Sequence, residues 1–207
     1  MKFLGFDKVL CLSPHPDDVE YSMGGTILKC KDTQFDILTL TYGGDNDMTN
    51  VSNRQLEVHE FWSDISNANP TFIGNHKMKE YDEAGWVHLI ENTTLTDHNA
   101  IVTPSSLDSH FEHRFVSNFG LALTRIRPIS LLEYMSPSTQ RDWIPSVYVD
   151  ITQQYDKKLE LLKTFKSQQQ RSYFQNEQLK GFHIDFQCSK KGISLVEQFK
   201  LSQDFII

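Results

Sequence analysis

Long apolar runs are missing from this sequence. Its opening stretch, Met1-Lys2-Phe3-Leu4-Gly5-Phe6-Asp7-Lys8, is interrupted by charge before it reaches the length of a signal peptide or membrane span, so a cytoplasmic protein without a membrane span is expected. A basic stripe is missing too: the formal net charge is -7 and Lys and Arg do not cluster, which leaves a nucleic-acid partner without electrostatic support. Cysteine is scarce. Cys11, Cys30 and Cys188 are odd in number, far apart and without a CxxC pattern, which argues against a disulfide framework and for reduced thiols in a cytosol. No GxGxxG or Walker pattern surrounds Gly24-Gly25, so these glycines read as close-packing positions and not as a phosphate cradle. There is no internal repeat, linker or low-complexity tract.

What is present fits one globular domain of 207 residues, 39% hydrophobic and 23% charged. Val9 to Ser13 is a short apolar run that ends in a polar turn, and Asp18 to Lys31 then takes a helical pattern. Phe35 to Tyr42, rich in β-branched and aromatic residues, is a second strand that stops at Gly43-Gly44. Such a βαβ unit predicts parallel pairing and an α/β sheet. Ser52 or Asn53 can cap a helix through Arg54, Glu57, Phe61 and Ile65. Strands are expected at Thr71–Ile73, Ala100–Pro104, Ser130–Met135 and Ser146–Ile151, with helices over about Phe111–Arg127 and Gln154–Lys166, the latter capped by Thr152. Gly74 to Asn99 is mixed and polar and carries no assignment beyond Trp86, Leu89 and Ile90 on one helix face.

The chemistry-bearing residues fall in two loops. His15-Pro16-Asp17-Asp18 directly follows the first strand, and open α/β sheets place ligand sites outside the carboxyl ends of their strands. A specified string of these four residues arises by chance in a chain this long on the order of once in a thousand. Imidazole and carboxylate both bind Zn²⁺, while a carboxylate outside the coordination shell can take a proton from water. Asp17 and Asp18 can divide these roles, since neighbouring side chains diverge on an extended or turning backbone. In the second loop His110 and His113, three apart at a helix start, share a face. One can complete a three-ligand site while the other stabilises an oxyanion, and Asp108 can orient His110 from behind. Taken singly each loop has a bland reading, a helix-capping aspartate in the first and two surface histidines in the second. The pairing of the two loops is what favours a site.

These residues resemble the PIG-L/LmbE-like deacetylases. The first family signature, His-Pro-Asp-Asp-x-Glu followed by Gly-Gly-Thr, is similar to His15–Glu20 and Gly24-Gly25-Thr26. The second, Asp-x-His-Pro-Asp-His, is similar to Asp108–His113. An Arg-x-x-Glu helix is matched by Arg54 and Glu57, and a Val-Asp-Ile-Thr strand end by Val149-Asp150-Ile151-Thr152. Lys158, Ser167-Gln168 and Glu197-x-Phe199 resemble the C-terminal pattern. The resemblance implies a Rossmann-like, mostly parallel sheet flanked by helices in a single domain over 1–207. It implies zinc, with Fe²⁺ as an alternative, held by His15, Asp18 and His113. It further implies Asp17 as general base, His110 at the acyl oxygen and Arg54 in contact with substrate. The expected reaction is removal of an N-acetyl group from a small-molecule amino-sugar conjugate, with assembly into a homo-oligomer left open.

The chain departs from the pattern at Phe111 and Glu112, where Pro and Asp are usual, and at Gly74–Met78, where Leu-Pro-Asp-Gly is usual and where related enzymes meet the sugar. Neither departure removes a ligand. The competing readings are a catalytically silent nucleotide-sugar binding module and a metal phosphoesterase, and the second needs more ligands than the sequence offers.

Overall fold

The structure is a computed structural model that describes residues 1–42, 48–73, 83–93 and 95–204. One sheet organises it, with strands β1 (Lys8–Ser13), β2 (Gln34–Thr39), β3 (Ala68–Phe72), β4 (Ala100–Pro104), β5 (Ser130–Tyr134), β6 (Val147–Asp150) and β7 (Val196–Gln203). Their order across the sheet is β3-β2-β1-β4-β5-β7-β6. The first five are mutually parallel, and β7 inserts antiparallel between β5 and β6. The helices are α1 (Asp18–Lys29), α2 (Met48–Trp62), α3 (Glu83–Asn92), α4 (Phe111–Leu123), α5 (Tyr155–Leu162), α6 (Asn176–Phe182) and α7 (Phe186–Ser189).

The strands are apolar along most of their length because helices cover both faces of the sheet. Along β1, Val9 and Cys11 enter one core with Met23, Ile27, Phe61 and Phe165, whereas Leu10 and Leu12 enter the other with Trp86, Val116 and Phe119. Period-two alternation thus divides one strand between two layers. Cys11 is buried in β1, as its surroundings predicted, and all three thiols are free.

Several elements differ from the sequence expectation at their ends. Helix α2 begins at Met48, ahead of the expected cap at Ser52 or Asn53. Helix α4 ends at Leu123 and α5 at Leu162, each a few residues early, and Gln154 in place of Thr152 precedes α5. Strand β7 carried no expectation, and neither did α6 or α7. The proposed stop at Gly43-Gly44 and the departure at Gly74–Met78 lie outside the described residues. Trp86 is buried and Leu89 is partly buried against the second core.

Two glycines set how closely helices approach the sheet. A Cβ on Gly25 would lie 2.9 Å from Ile151 Cγ2, in keeping with the packing role read from the sequence. On Gly120 it would lie 2.2 Å from Thr103 Cγ2, so α4 rests directly on β4. No helix among the described residues is long and apolar enough to cross a membrane.

Candidate metal centre and active site

Strand order reverses between β1 and β4, since the chain proceeds from β1 outward to β2 and β3, then returns to place β4 on the other side of β1. The loops that leave two such strands diverge and open a crevice at their carboxyl ends. Here the loop after β1 carries His15–Asp18 and the loop after β4 carries Asp108–His113, which brings together residues nearly a hundred positions apart. The crevice is a cleft of about 290 Å³, at the small end of ligand pockets. Its lining includes all six residues singled out in the sequence: His15, Asp17, Asp18, Arg54, His110 and His113.

Asp17 has φ 113° and ψ -21°, in the left-handed region that side chains other than glycine rarely enter. This turn separates the two aspartates. Asp18 faces the histidines: its Oδ2 lies 3.0 Å from His15 Nδ1 and its Oδ1 3.4 Å from His113 Nε2. Asp17 faces away, with Oδ1 3.2 Å from Arg54 Nη2. Behind it, Glu20 accepts from the Asp17 amide at 3.2 Å and from Trp62 Nε1 at 2.5 Å. Burial pushes Asp17 up to about 6, against the pull of Arg54, and pushes Glu20 up to about 7 against the Trp62 hydrogen bond. Burial works against ionisation of Asp18 also, but His113 and His15 hold its carboxyl well below the usual carboxylate range.

His15, Asp18 and His113 each offer a donor atom within 4.8 Å of the others. This set fits a divalent cation on three counts. Its donors are the nitrogen and carboxylate oxygen types that zinc takes. The 3.4 Å between His113 Nε2 and Asp18 Oδ1 matches the edge of about 3.3–3.4 Å expected of a tetrahedron with bonds near 2.0–2.1 Å. The second ring nitrogen of His113 is held from behind, Nδ1 lying 3.0 Å from Asp108 Oδ2, which turns Nε2 toward the set. The surroundings also favour positive charge: although burial opposes it, Asp18 raises His15 to about 8, and Asp18 and Asp108 raise His113 to about 10.

Asp108 is fully buried, and it meets the ring of His113, not that of His110 as the sequence suggested. Its Oδ1 accepts from the His110 amide at 2.7 Å and its Oδ2 from Ser136 Oγ at 2.5 Å. His110 caps α4, its ring 4.9 Å from that of His15 and 4.7 Å from that of His113. Burial, and then those two neighbours, lower its pKa.

The two departures in the second loop have local explanations. Phe111 takes the first helical position, where proline is favoured but not required, and it is exposed. Glu112 carries its carboxylate to His15 Nε2, so His15, His110 and Glu112 form a second donor set that shares His15 with the first.

Arg54 is buried and donates to the carbonyl of Pro16 at 2.5 Å, and its Nε has no hydrogen-bond partner among the described residues. One turn on, Glu57 accepts from the Ser167 amide at 2.8 Å and from Ser167 Oγ at 2.6 Å. Helix α2 therefore ties the first loop to a C-terminal wall that supplies Arg171, Tyr173 and Phe174 to the cleft, with Tyr21 beside them. Sequence reasoning missed these four. Tyr134, Trp143 and Tyr155 do not line the cleft and donate instead to Leu12 O, Glu133 and Asn176. Ser167-Gln168 matches the family pattern, but Arg171, Tyr173 and Phe174 beyond it give no signal of their own, because only folding brings them to the strand ends.

The fold recurs in solved structures. The chain is similar to the 4-carboxy-2-hydroxymuconate hydratase GalB of Pseudomonas putida KT2440, at 16% identity and TM-score 0.78, covering 97% of this chain and 98% of that one. It is similar to the N,N'-diacetylchitobiose deacetylase of Pyrococcus horikoshii at 22% identity and TM-score 0.73, covering 96% and 85%. A zinc-inhibited form of the teicoplanin deacetylase Orf2 aligns at 12% identity and TM-score 0.67, covering 96% and 100%. No curated protein matches the sequence. At these identities the structures establish the Rossmann-like α/β architecture and nothing finer. The family PIG-L: GlcNAc-PI de-N-acetylase matches residues 10–124, more than half of the chain and a span that holds both motif loops, so the chain belongs to the PIG-L family.

Proposed function

We propose that the protein is a metal-dependent N-deacetylase that removes an acetyl group from a small amino-sugar conjugate. The observation that carries this reading is the division of labour in the first loop: Asp18 turns to the two histidines while its neighbour Asp17 turns to Arg54 inside the same cleft.

His15, Asp18 and His113 would hold the metal, zinc by donor type with Fe²⁺ as the alternative. It would supply Lewis acidity, lowering the pKa of a water and polarising an acyl oxygen. The chain's own groups do the rest. Asp17 accepts a proton from the attacking water and passes it to the departing amine. Arg54 holds the Asp17 carboxylate in place and lines the cleft that would receive the substrate. His110, at the cleft mouth with its pKa lowered by burial, donates toward the acyl oxygen as negative charge develops there. Tyr21, Tyr173 and Phe174 give the cleft an aromatic wall against which a sugar would lie.

A phosphoesterase working through paired metals is less well supported, because among the described residues both donor sets depend on His15. A silent binding module has no use for a base set apart from the ligands. The hydratase neighbour is a reminder that this fold alone does not dictate amide cleavage. The test is acetate and free-amine release from N-acetylated sugar conjugates by zinc-loaded protein, with metal content measured in parallel. Asp17→Asn should keep about one metal per chain and lose roughly a hundredfold or more in turnover. Near wild-type turnover in that variant would remove Asp17 as base, and failure to bind metal at all would favour the binding module.

A further inference from the structure

Two arginines line the cleft, and their surroundings differ. Arg54 is buried and paired with Asp17. Arg171 is exposed, and among the described residues its guanidinium forms no direct ion pair with a carboxylate, although its charge reaches Asp17 across the cleft. It is nevertheless held in place: Nη1 donates to Tyr173 Oη at 3.0 Å, and the guanidinium carbon lies 5.9 Å from the Tyr173 ring centroid.

The backbone beneath it is fixed from several sides. Arg171 N donates to Gln168 O at 2.9 Å, and Phe174 N donates to Arg171 O at 3.0 Å. Tyr21 Oη donates to Tyr173 O at 3.0 Å, and Glu57 clamps Ser167 at the head of the segment. A guanidinium with its orientation set in advance loses little freedom when it binds, and its fork matches an oxyanion. The chain as a whole carries a net charge of -7, so an anionic ligand needs a local cation of this kind to approach the cleft.

We propose that Arg171 receives an oxyanion group of the substrate, so that the acetylated sugar carries a phosphate or a carboxylate. This rests on the reading of the cleft as a deacetylase site.

The test uses zinc-loaded, full-length protein and three probes: N-acetylglucosamine, its 1-phosphate and N-acetylmuramic acid. Binding is measured by calorimetry, in an Asp17→Asn background where a probe is turned over, and acetate release is followed separately. At least one anionic probe should bind tenfold or more tightly than the neutral sugar. That ratio should fall toward unity in Arg171→Gln, be only partly kept in Arg171→Lys, which retains the charge but not the fork, and shrink with added salt. The two anionic arms distinguish a phosphate from a carboxylate. Equal affinity for all three probes, binding of none, or a preference that survives Arg171→Gln overturns the proposal. An intact, Arg171-dependent preference without acetate release from any probe supports the anion site and overturns the deacetylase reading.

Discussion

Asp108 is fully buried, and its contacts with the His113 ring, the His110 amide and Ser136 are what support it there. Burial works against its ionisation, yet the bond from His113 is first among the contacts that lower its pKa. An anionic partner of this kind orients an imidazole ligand and raises its basicity. Asp108→Asn keeps the shape and removes the charge, and it should weaken zinc affinity about tenfold, the lower end for such partners. Competition with a chromophoric chelator measures this, and an unchanged affinity would show that His113 is oriented by other means. The residue types at this site were readable from the two loops, but the pairing of Asp108 with His113 in place of His110 was not. Sequence separation places Asp108 two residues from His110, whereas the start of α4 turns His113 back over Asp108.

Among the elements, α4 depends most sharply on one residue. Gly120 lets the helix lie against Thr103 on β4, and that contact sets where the first turn, bearing His110 and His113, stands over the strand end. Gly120→Ala introduces a Cβ at 2.2 Å from Thr103 Cγ2, and the helix or strand must shift to relieve it. A cost of about 1–3 kcal/mol in urea unfolding is expected, typical of overpacking. A more stable variant would mean that the helix has room the geometry denies it. Parallel strands such as β4 were easy to read because burial on both faces makes them apolar throughout. Strand β7 was not: Glu197, Lys200 and Ser202 give Val196–Gln203 the look of a polar segment, and Glu197 is buried because a lysine and two backbone amides far away in sequence meet it.

That encounter joins distant parts of the molecule. Lys158 on α5 is fully buried and donates to Glu197 Oε1 at 2.6 Å, to the carbonyl of Tyr21 and to His183 Nε2 at 2.9 Å. Glu197 accepts in turn from the amides of Gly25 and Thr26 within α1, at 2.8 Å and 2.6 Å. Helix α1, whose start presents Asp17 and Asp18, is thereby bolted to β7 and α5. His183 takes part as a neutral ring: it accepts from Lys158 and donates through Nδ1 to Val196 O at 3.1 Å. Burial and then the Lys158 charge hold its pKa well below the ordinary value. The unfolded chain therefore binds a proton below about pH 6.5 that the folded chain refuses, so His183 removes stability as pH falls through that value and removes none above it. His183→Gln keeps both hydrogen bonds without titrating. Between pH 6 and 5, wild type should lose up to about 1.4 kcal/mol per pH unit more than this variant in denaturant unfolding. Parallel profiles for the two proteins would exclude the neutral-ring assignment.

By itself the sequence determined the alternation of strands and helices, the two loops that carry the chemistry and the residue types within them. These are local properties, written in hydrophobic period, turn residues and short motifs. Tertiary structure decided which atoms meet: Asp108 behind His113, Glu112 on His15, Arg54 on Asp17, and a C-terminal wall with Arg171 at the cleft. Those meetings follow from strand order and helix placement, which bring residues from opposite ends of the chain within hydrogen-bond reach, and sequence neighbours carry no record of such distances.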